Sequence, residues 1–255
     1  LIRSICCLII LAGLSGCVST RAPQATMLFE TPAPSETPTP TIVWFPLTAT
    51  STSWKQGSTS QNSTPIPVVT HGELIFQDDF SDPSQWDLGI YPAGSIQFGL
   101  NELSIGVTQP RGYLYSLRKG PSISDFFLEI TASPSICREN DEFGVLLRVS
   151  RNLDYFRFGI NCLGEARLDR VLSGQASSPK PPELNGSIPP GAPSRSRLGI
   201  FAAGKEIRFY ANNTFLFSIQ DPSLLEGMIG VFARSGGQDV MTVNFSQLSL
   251  YEAQP

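Results

Sequence analysis

Histidine and clusters of basic residues are scarce in this 255-residue chain. His71 is the only histidine, so a histidine-based metal cluster is excluded and a Ser-His-Asp triad has no other base to recruit. Lysine and arginine form no stripe, and the net charge is −4, so the usual electrostatic basis for binding nucleic acid is missing. We therefore expect His71 to be an ordinary solvated residue and nucleic acid not to be a partner.

The N-terminal apolar run from Ile5 to Leu14 is too short to span a bilayer. Arg3 precedes the run and small residues follow it, an order that is typical of an export signal. The sequence therefore predicts an exported protein, with a signal peptide over residues 1–16.

The signal ends in Leu14-Ser15-Gly16-Cys17, which resembles the lipoprotein box of bacteria. The resemblance implies that the peptide is cleaved before Cys17 and that this cysteine is lipidated. Two or more acyl chains give stable anchoring, so the implied location is the outer face of a bacterial membrane or the cell surface. The alternative is a plain secretory signal with an incidental cysteine.

Residues 17–70 are dominated by Thr, Ser and Pro and have few regularly spaced apolar residues. Such a segment buries too little apolar surface to offset the entropy of ordering the chain. We expect a disordered stalk that begins at the lipidated cysteine and carries a domain over residues 71–255. Trp44 and Phe45 interrupt the polar tract, and they are either a docking point or an incidental apolar pair.

From residue 71 onward, short segments alternate apolar and polar residues between turns of Gly, Pro, Asn and Asp. Many short strands with frequent turns, and no long helical stripe, predict an all-β fold, an antiparallel β-sandwich of the jelly-roll type. Residues 173–194 are rich in Ser, Pro and Gly and are predicted to form one long surface loop. The strands predicted from alternation are residues 126–132, 143–149, 155–160, 166–172, 198–202, 206–211, 215–219, 229–233 and 243–251.

Two cysteines, Cys137 and Cys162, lie in the predicted domain. If strands 126–132, 143–149 and 155–160 run alternately up and down, both cysteines fall on the same rim of the sheet. Export permits their oxidation, so we expect a disulfide. Two buried free thiols are the alternative.

Three sequence patterns recur through the predicted domain: residues 78–83 with Trp86, residues 143–148 with 155–158, and residues 207–213 with 227–233 and 243–245. Together they resemble the concanavalin A-like lectin/glucanase superfamily, most closely its laminin-G-like and 3-keto-disaccharide-hydrolase-like branch. The resemblance covers residues 74–252 and implies a jelly-roll sandwich. It also implies several functions, since the superfamily includes lectins, carbohydrate-binding modules, glycan-cleaving enzymes and adhesive domains.

Glycan cleavage needs two carboxyl groups across the scissile bond. The glucanases of this superfamily carry Glu-x-Asp-x-Glu on one strand, and the nearest match here is Glu139-Asn140-Asp141-Glu142, in which Glu142 points away from the other two acids. We interpret residues 139–142 as a solvated acidic turn. Glu129 is the one acid on strand 126–132 and the candidate catalytic residue if the protein is an enzyme.

Calcium is the usual ion of laminin-G-like and lectin-like sandwiches, so the resemblance makes it a possible ligand, although no cofactor is required. Asp78, Asp79 and Asp82 place three hard oxygen ligands close together in the sequence. The alternative is that these acids, next to Ser and Pro, form ordinary turns.

The predicted alternation also defines a candidate ligand-binding face. It places the Val149 side chain on the core side, with the other inward-facing residues of strand 143–149. It places five other side chains on the opposite, exposed face. Arginine and tyrosine there suit contacts to carboxylates, hydroxyls and sugar rings, and a solvated sheet face is the alternative. These candidate residues are Arg148, Tyr155, Arg157, Arg208 and Tyr210.

Three functions remain open at this point. The first is a non-catalytic surface module that binds a carbohydrate or another extracellular ligand. The second is a structural or interaction domain whose partner is a protein, and the third is a hydrolase of a modified disaccharide.

Overall fold

The computed structural model describes residues 71–237 and 239–254, which form a sandwich of two antiparallel β-sheets. The predicted signal peptide, lipidated Cys17 and stalk lie outside the described residues. Nine strands form the first sheet: β1 (His71–Asp78), β2 (Gly89–Tyr91), β3 (Gly94–Phe98), β4 (Leu103–Val107), β6 (Phe126–Ile136), β11 (Ser196–Ala203), β12 (Glu206–Ala211), β13 (Thr214–Gln220) and β15 (Met241–Ala253). Six strands form the second: β5 (Tyr113–Leu117), β7 (Glu142–Val149), β8 (Tyr155–Asn161), β9 (Glu165–Leu172), β10 (Gln175–Leu184) and β14 (Met228–Arg234).

The strands of the nine-stranded sheet follow the order β13-β12-β11-β6-β15-β4-β3-β2, with β1 paired to β15 beside this path. The six-stranded sheet follows the order β10-β9-β8-β7-β14-β5. Strands β2 and β5 are therefore both edge strands. The helical structure in the described residues is one short 3-10 turn, Pro83–Gln85, and no helix there is long and apolar enough to cross a membrane.

The core lies between the sheets and is built by the alternation that the sequence displays. Each of the nine strands predicted from alternation lies within an observed strand, and the antiparallel sandwich is confirmed. Phenylalanine rings join the layers, since Phe158 of β8 lies 4.8 Å from Phe209 of β12, measured between ring centroids.

Two expectations about local structure are wrong. Residues 173–194 are not one loop, because β10 occupies Gln175–Leu184 and pairs with β9. Its prolines are tolerated because β10 is an edge strand and its register shifts on both sides of Lys180. The loop prediction holds for residues 185–194, which are in no strand.

Val149 does not face the core with the rest of its strand. Arg148 has a positive φ of 53°, and the register of β7 against β14 shifts between Met228 and Gly230. This irregularity turns Val149 to the outer face, where it packs with Leu146. Strict alternation therefore fails at the last two residues of β7.

The predicted disulfide between Cys137 and Cys162 is present, with a Cα–Cα distance of 5.9 Å. It joins the residue after β6 to the residue after β8, at one rim of the sandwich. The bond closes a loop with a sequence separation of 25 residues.

Replacing both cysteines by alanine should lower the free energy of unfolding by about 3 kcal/mol, the value expected for a loop of this length. Urea unfolding of the oxidised wild type and the double variant measures the difference. Reduction of the wild type should reproduce it. Equal stability of all three forms would contradict a structural role for the bond.

Candidate functional site

The outer face of the six-stranded sheet carries a network of charged side chains. Each of them alternates with core residues in its strand, so each points away from the sandwich interior. Cross-strand pairing brings them together, with Arg234 opposite Glu142 and Arg157 opposite Asp169. We call this set the charged network: Glu142, Arg157, Arg167, Asp169 and Arg234.

Three arginines in this network neutralise two buried carboxylates. Arg234 Nη2 lies 2.6 Å from Glu142 Oε2, and Arg167 Nη2 donates to Asp169 Oδ1 at 2.5 Å. Arg167 Nε is also 4.0 Å from Glu142 Oε1, so Arg167 joins the two carboxylates. Arg157 donates to Asp169 from the adjacent strand. Glu142 is 1% exposed and Asp169 2%, so the pairing compensates charges that water does not reach.

The sheet has space for the Glu142 carboxylate because glycine lies beneath it. A Cβ atom added to Gly159 would lie 2.1 Å from Glu142 Oε1, so a larger residue there would displace the acid. Gly144 faces Gly159 across the β7–β8 pair. Gly159 therefore leaves the space that the Glu142 side chain occupies.

The surroundings of Asp169 favour its charged form. Burial alone raises the pKa of the Asp169 carboxyl, but hydrogen bonds from Ser178, Arg157 and Arg167 outweigh it and hold the pKa below its usual value. Burial raises the pKa of Tyr113, which lies beside Arg157, so this phenol keeps its proton.

An open cleft of about 630 Å³ adjoins the network at the two edge strands, β2 and β5. Tyr91 of β2 and Tyr115 of β5 are 41% and 37% exposed, so their ring faces are accessible. Tyr113 lines the cleft and also contacts Arg157 of the charged network through its ring, at 5.5 Å. The cleft is also lined by Trp86, Asp87, Gln109 and Lys119.

A second hollow of about 290 Å³ continues along the same outer face. It is mainly apolar and is lined by Leu146, Val149 and Tyr155 among others. Tyr115 lines both the cleft and the hollow. The two concavities therefore form one surface with an exposed tyrosine at its centre, which we call the cleft–hollow surface.

The structure separates the five predicted ligand residues. Tyr155 lines the hollow and Arg157 belongs to the charged network. Arg148 is not exposed as expected: its side chain is fully buried and donates to the carbonyl oxygens of Ser124 and Leu224 at 3.1 and 2.9 Å. The positive φ of Arg148, which turns Val149 outward, occurs at this buried residue. Its two hydrogen bonds connect the loops that contain Ser124 and Leu224.

The remaining predicted residues lie on the outer face of the other sheet. Arg208 forms an ion pair with Glu206 at 2.7 Å, and Tyr210 is buried in an aromatic cluster. Glu129 also lies in this sheet, where it is paired with Arg197. None of these described residues lines the cleft or the hollow, so the structure does not bring Glu129 to the candidate site.

The interpretation of residues 139–142 as a solvated turn is wrong for two of the acids. Asp141 is 2% exposed and accepts hydrogen bonds from the backbone amides of Arg138 and Gly236. Glu142 is in the charged network. Glu139 alone among the three acids is exposed, and it has a positive φ of 45°.

The three aspartates considered for calcium are engaged in hydrogen bonds. Asp78 accepts from Trp86 Nε1 and Arg118 Nε, both at 3.0 Å, and Asp82 caps the 3-10 turn. Asp79 accepts from the amide of Ser81. Within residues 71–237 and 239–254, no three His, Cys, Asp or Glu side chains are arranged to hold a metal ion.

Sequence reasoning missed the cleft. Tyr91, Gln109 and Tyr115 belong to strands or turns that alternation did not identify, because β2 and β5 are only three and five residues long. An available signal was the density of tyrosine between residues 91 and 115, which contains three of the six tyrosines in the chain.

No protein-family model matches the sequence, and no curated protein matches it. Solved structures do share the fold. The catalytic domain of an endo-1,3-beta-glucanase (laminarinase) from Thermotoga petrophila has a TM-score of 0.53 at 10% identity, covering 74% of this chain and 100% of that one. A Bacillus subtilis protein of unknown function with a galectin-like fold has a TM-score of 0.53 at 12% identity, covering 73% and 99%.

LamA from Z. galactanivorans, solved in complex with laminaritriose and laminaritetraose, also has a TM-score of 0.53, at 10% identity, covering 72% of this chain and 100% of that one. Identities this low establish the fold alone. The chain therefore has the antiparallel β-sandwich fold that these glucanase and galectin-like structures share, and the predicted fold class is confirmed.

Asp169→Asn should weaken the fold at neutral pH and have less effect in acid. The lowered pKa of Asp169 means that its stabilisation is complete above the unfolded value of about 4 and is lost as the pH falls through the folded value. Urea midpoints measured from pH 7 down to about 2.5 should therefore converge for wild type and variant. Ser178→Ala, which removes one donor to Asp169, should give a smaller gap. A gap that stays constant with pH would contradict the assignment.

Proposed function

We propose that the domain binds an extended glycan, without cleaving it, along the cleft–hollow surface. We further propose that Cys17 anchors the exported protein so that this surface is displayed outside a bacterial membrane. The observation that carries the proposal is the exposed Tyr115 ring, which lies between two concavities and near the buried charged network.

The shape of this surface suits a chain of sugars better than a single small ligand. The cleft is within the range of pockets that hold drug-sized ligands, and the hollow extends it past Tyr115. Sugar rings have apolar faces formed by their C–H groups, and tyrosine rings provide matching flat surfaces. Tyr91 and Tyr115 are exposed enough to make such contacts.

Polar side chains complete the complementarity in the cleft. Asp87 offers a carboxylate acceptor, Gln109 offers an amide that both donates and accepts, and Lys119 offers an ammonium donor. Hydroxyl groups both donate and accept hydrogen bonds, so this mixture suits a polyhydroxylated ligand. Asp87 and Gln109 are exposed, so a ligand can reach them.

The charged network supports binding rather than hydrolysis. A glycosidase needs one carboxyl group that keeps its proton to act as general acid. The lowered pKa of Asp169 makes this acid a poor proton donor, and Glu142 is within 2.6 Å of Arg234. Glu129, the earlier candidate, is ion-paired on the other sheet. The carboxylates of the charged network therefore act in this proposal as structural anions.

The fold is compatible with this proposal. Among the structures that share it, LamA was solved with laminaritriose and laminaritetraose bound. We extend from this only the chemical class, a glycan, and not the particular sugar. Binding is proposed to need no cofactor, and calcium is tested directly below.

Tyr115→Ala should weaken glycan binding by about tenfold, since an aromatic contact contributes up to about 1.5 kcal/mol. The wild-type chain is first screened on an array of neutral and acidic glycans, with calcium and with a chelator. Affinity for the strongest binder is then measured by calorimetry for wild type and variant. Leu100→Ala is the matched control, because Leu100 is 92% exposed and lies outside the surface.

Four outcomes would change the proposal. The absence of binding to any glycan would overturn it and favour a protein partner. Unchanged affinity in Tyr115→Ala would place the glycan elsewhere. Release of a shortened product would show hydrolysis, and loss of binding with the chelator would restore calcium as a cofactor.

A further inference from the structure

The hollow at one end of the cleft–hollow surface is chemically unlike the cleft. Among the residues that the structure describes, no charged side chain lines the hollow, whereas Asp87 and Lys119 line the cleft. Five aliphatic side chains line the hollow together with the rings of Tyr115 and Tyr155. The aliphatic residues are Leu117, Leu146, Val149, Leu153 and Val171. The hollow therefore presents mainly apolar surface to an occupant.

The floor of the hollow depends on the irregularity at the end of strand β7. Leu146 and Val149 pack together on the outer face, and each is only 1% exposed. Regular alternation would instead place Val149 in the core and Arg148 on the outer face. Arg148 has a positive φ, and its buried guanidinium donates to two loop carbonyl oxygens. The backbone of β7 thus puts an apolar side chain where a charged one would otherwise lie.

Two hairpin turns contribute to the rim of the hollow. Leu153 lies in the turn between β7 and β8, and Gly174 lies in the turn between β9 and β10. Asp154 Oδ1 accepts a hydrogen bond from the amide of Ser173 at 2.6 Å, so the two turns are joined. The rim is therefore held in place without an occupant, which lowers the entropy cost of binding one.

Leu153 has an unusual backbone conformation for its residue type. Its φ is 59°, in the left-handed region that glycine, asparagine and aspartate adopt more readily than leucine. Its side chain is 45% exposed, so it adds little to the apolar core, and it lines the hollow. A turn that only connects two strands would favour a polar residue at this position. We therefore interpret Leu153 as part of an apolar binding surface.

A sugar chain alone does not match the chemistry of the hollow. Its hydroxyl groups would lose hydrogen bonds to water and would meet aliphatic side chains that offer none in return. The hollow volume of about 290 Å³ is close to the lower limit of pockets that hold a whole small ligand. Its size and lining therefore suit an apolar substituent of a larger ligand. Tyr115 lines both concavities, so a ligand on this ring can reach into both.

We propose that the glycan carries an apolar acyl substituent and that the hollow binds this substituent. The inference rests on the proposed function and narrows its ligand class. As the glycan follows the surface past Tyr115, its hydroxyl groups meet the polar side chains of the cleft and its acyl group enters the hollow. An acyl ester of a polysaccharide and the acyl chain of a glycolipid share this chemistry. The dependence of affinity on chain length distinguishes these two sources.

Methyl, butyl and hexyl β-glucoside test the proposal in the full chain, because they share one sugar and differ only in the apolar group. Dissociation constants are measured by NMR titration of the isotope-labelled protein, following the amide signals of Leu153 and Gly174. Each methylene group that enters the hollow should tighten binding by about fourfold, the value expected for its burial. A gain that ends at butyl glucoside indicates a short acyl ester, and a gain that continues to hexyl glucoside indicates a glycolipid chain.

Two substitutions in the hollow should each lower the ratio of hexyl to methyl glucoside affinity several-fold. Leu153→Asp places a charge at the rim, and aspartate tolerates the positive φ better than leucine. Val171→Thr replaces a methyl group by a hydroxyl and keeps the branching that suits a strand. Leu163→Asp is the matched control and should leave the ratio unchanged, because Leu163 is 44% exposed in the β8–β9 turn, outside the hollow. Thermal unfolding confirms that each variant is folded, and two positions keep the test valid if one variant fails.

The inference is overturned if the three glucosides bind equally or if none of them binds, and the glycan array then decides separately whether the proposed function stands. It is also overturned if both folded hollow variants keep the wild-type affinity ratio, since the alkyl group would then lie elsewhere. Hexanol is the matched probe without a sugar. If it binds as tightly as hexyl glucoside, the hollow is an apolar site unconnected with a glycan, and the inference fails.

Discussion

The fold depends on burying the inner faces of two antiparallel sheets against each other. The phenylalanine rings of Phe158, Phe209 and Phe217 form a continuous contact across this interface, with centroid distances of 4.8 Å for each successive pair. Because side chains alternate along a strand, every second residue is committed to the core. Charge and function are therefore confined to the two outer faces and to the edges.

This constraint explains why the charged network is built as it is. Glu142 and Asp169 lie on an outer face but are almost fully buried, which would be costly for unpaired carboxylates. Arginines on neighbouring strands compensate them, and Gly159 leaves room for the Glu142 side chain. The network thus joins four strands, β14, β7, β8 and β9, without contributing to the apolar core. Its rigidity holds Arg157 against the ring of Tyr113 in the adjoining cleft.

The sequence predicts the interior of the sandwich well because the signal is local. Alternation located nine strands, and the up-and-down order of three of them led to the disulfide of Cys137 and Cys162. Prediction from alternation failed where the position of a residue depends on contacts with distant parts of the chain. Arg148 is buried because carbonyl groups in loops 24 and 76 residues away accept its hydrogen bonds. Its positive φ occurs at a residue other than glycine, so the sequence does not indicate this backbone conformation. The cleft likewise needs two short edge strands to meet.

The two outer faces of the sandwich carry different kinds of side chain. One has paired charges, accessible tyrosines and open concavities, and the other has buried aromatic rings at its centre. Rings that are already screened from solvent have little surface left to contact a soluble ligand. Exposed rings beside polar groups have such surface. Because the carboxylates of the first face are neutralised by arginines, the glycan affinity proposed for it rests on ring contacts and hydrogen bonds more than on net charge. This is the balance that a polyhydroxylated, largely neutral ligand requires.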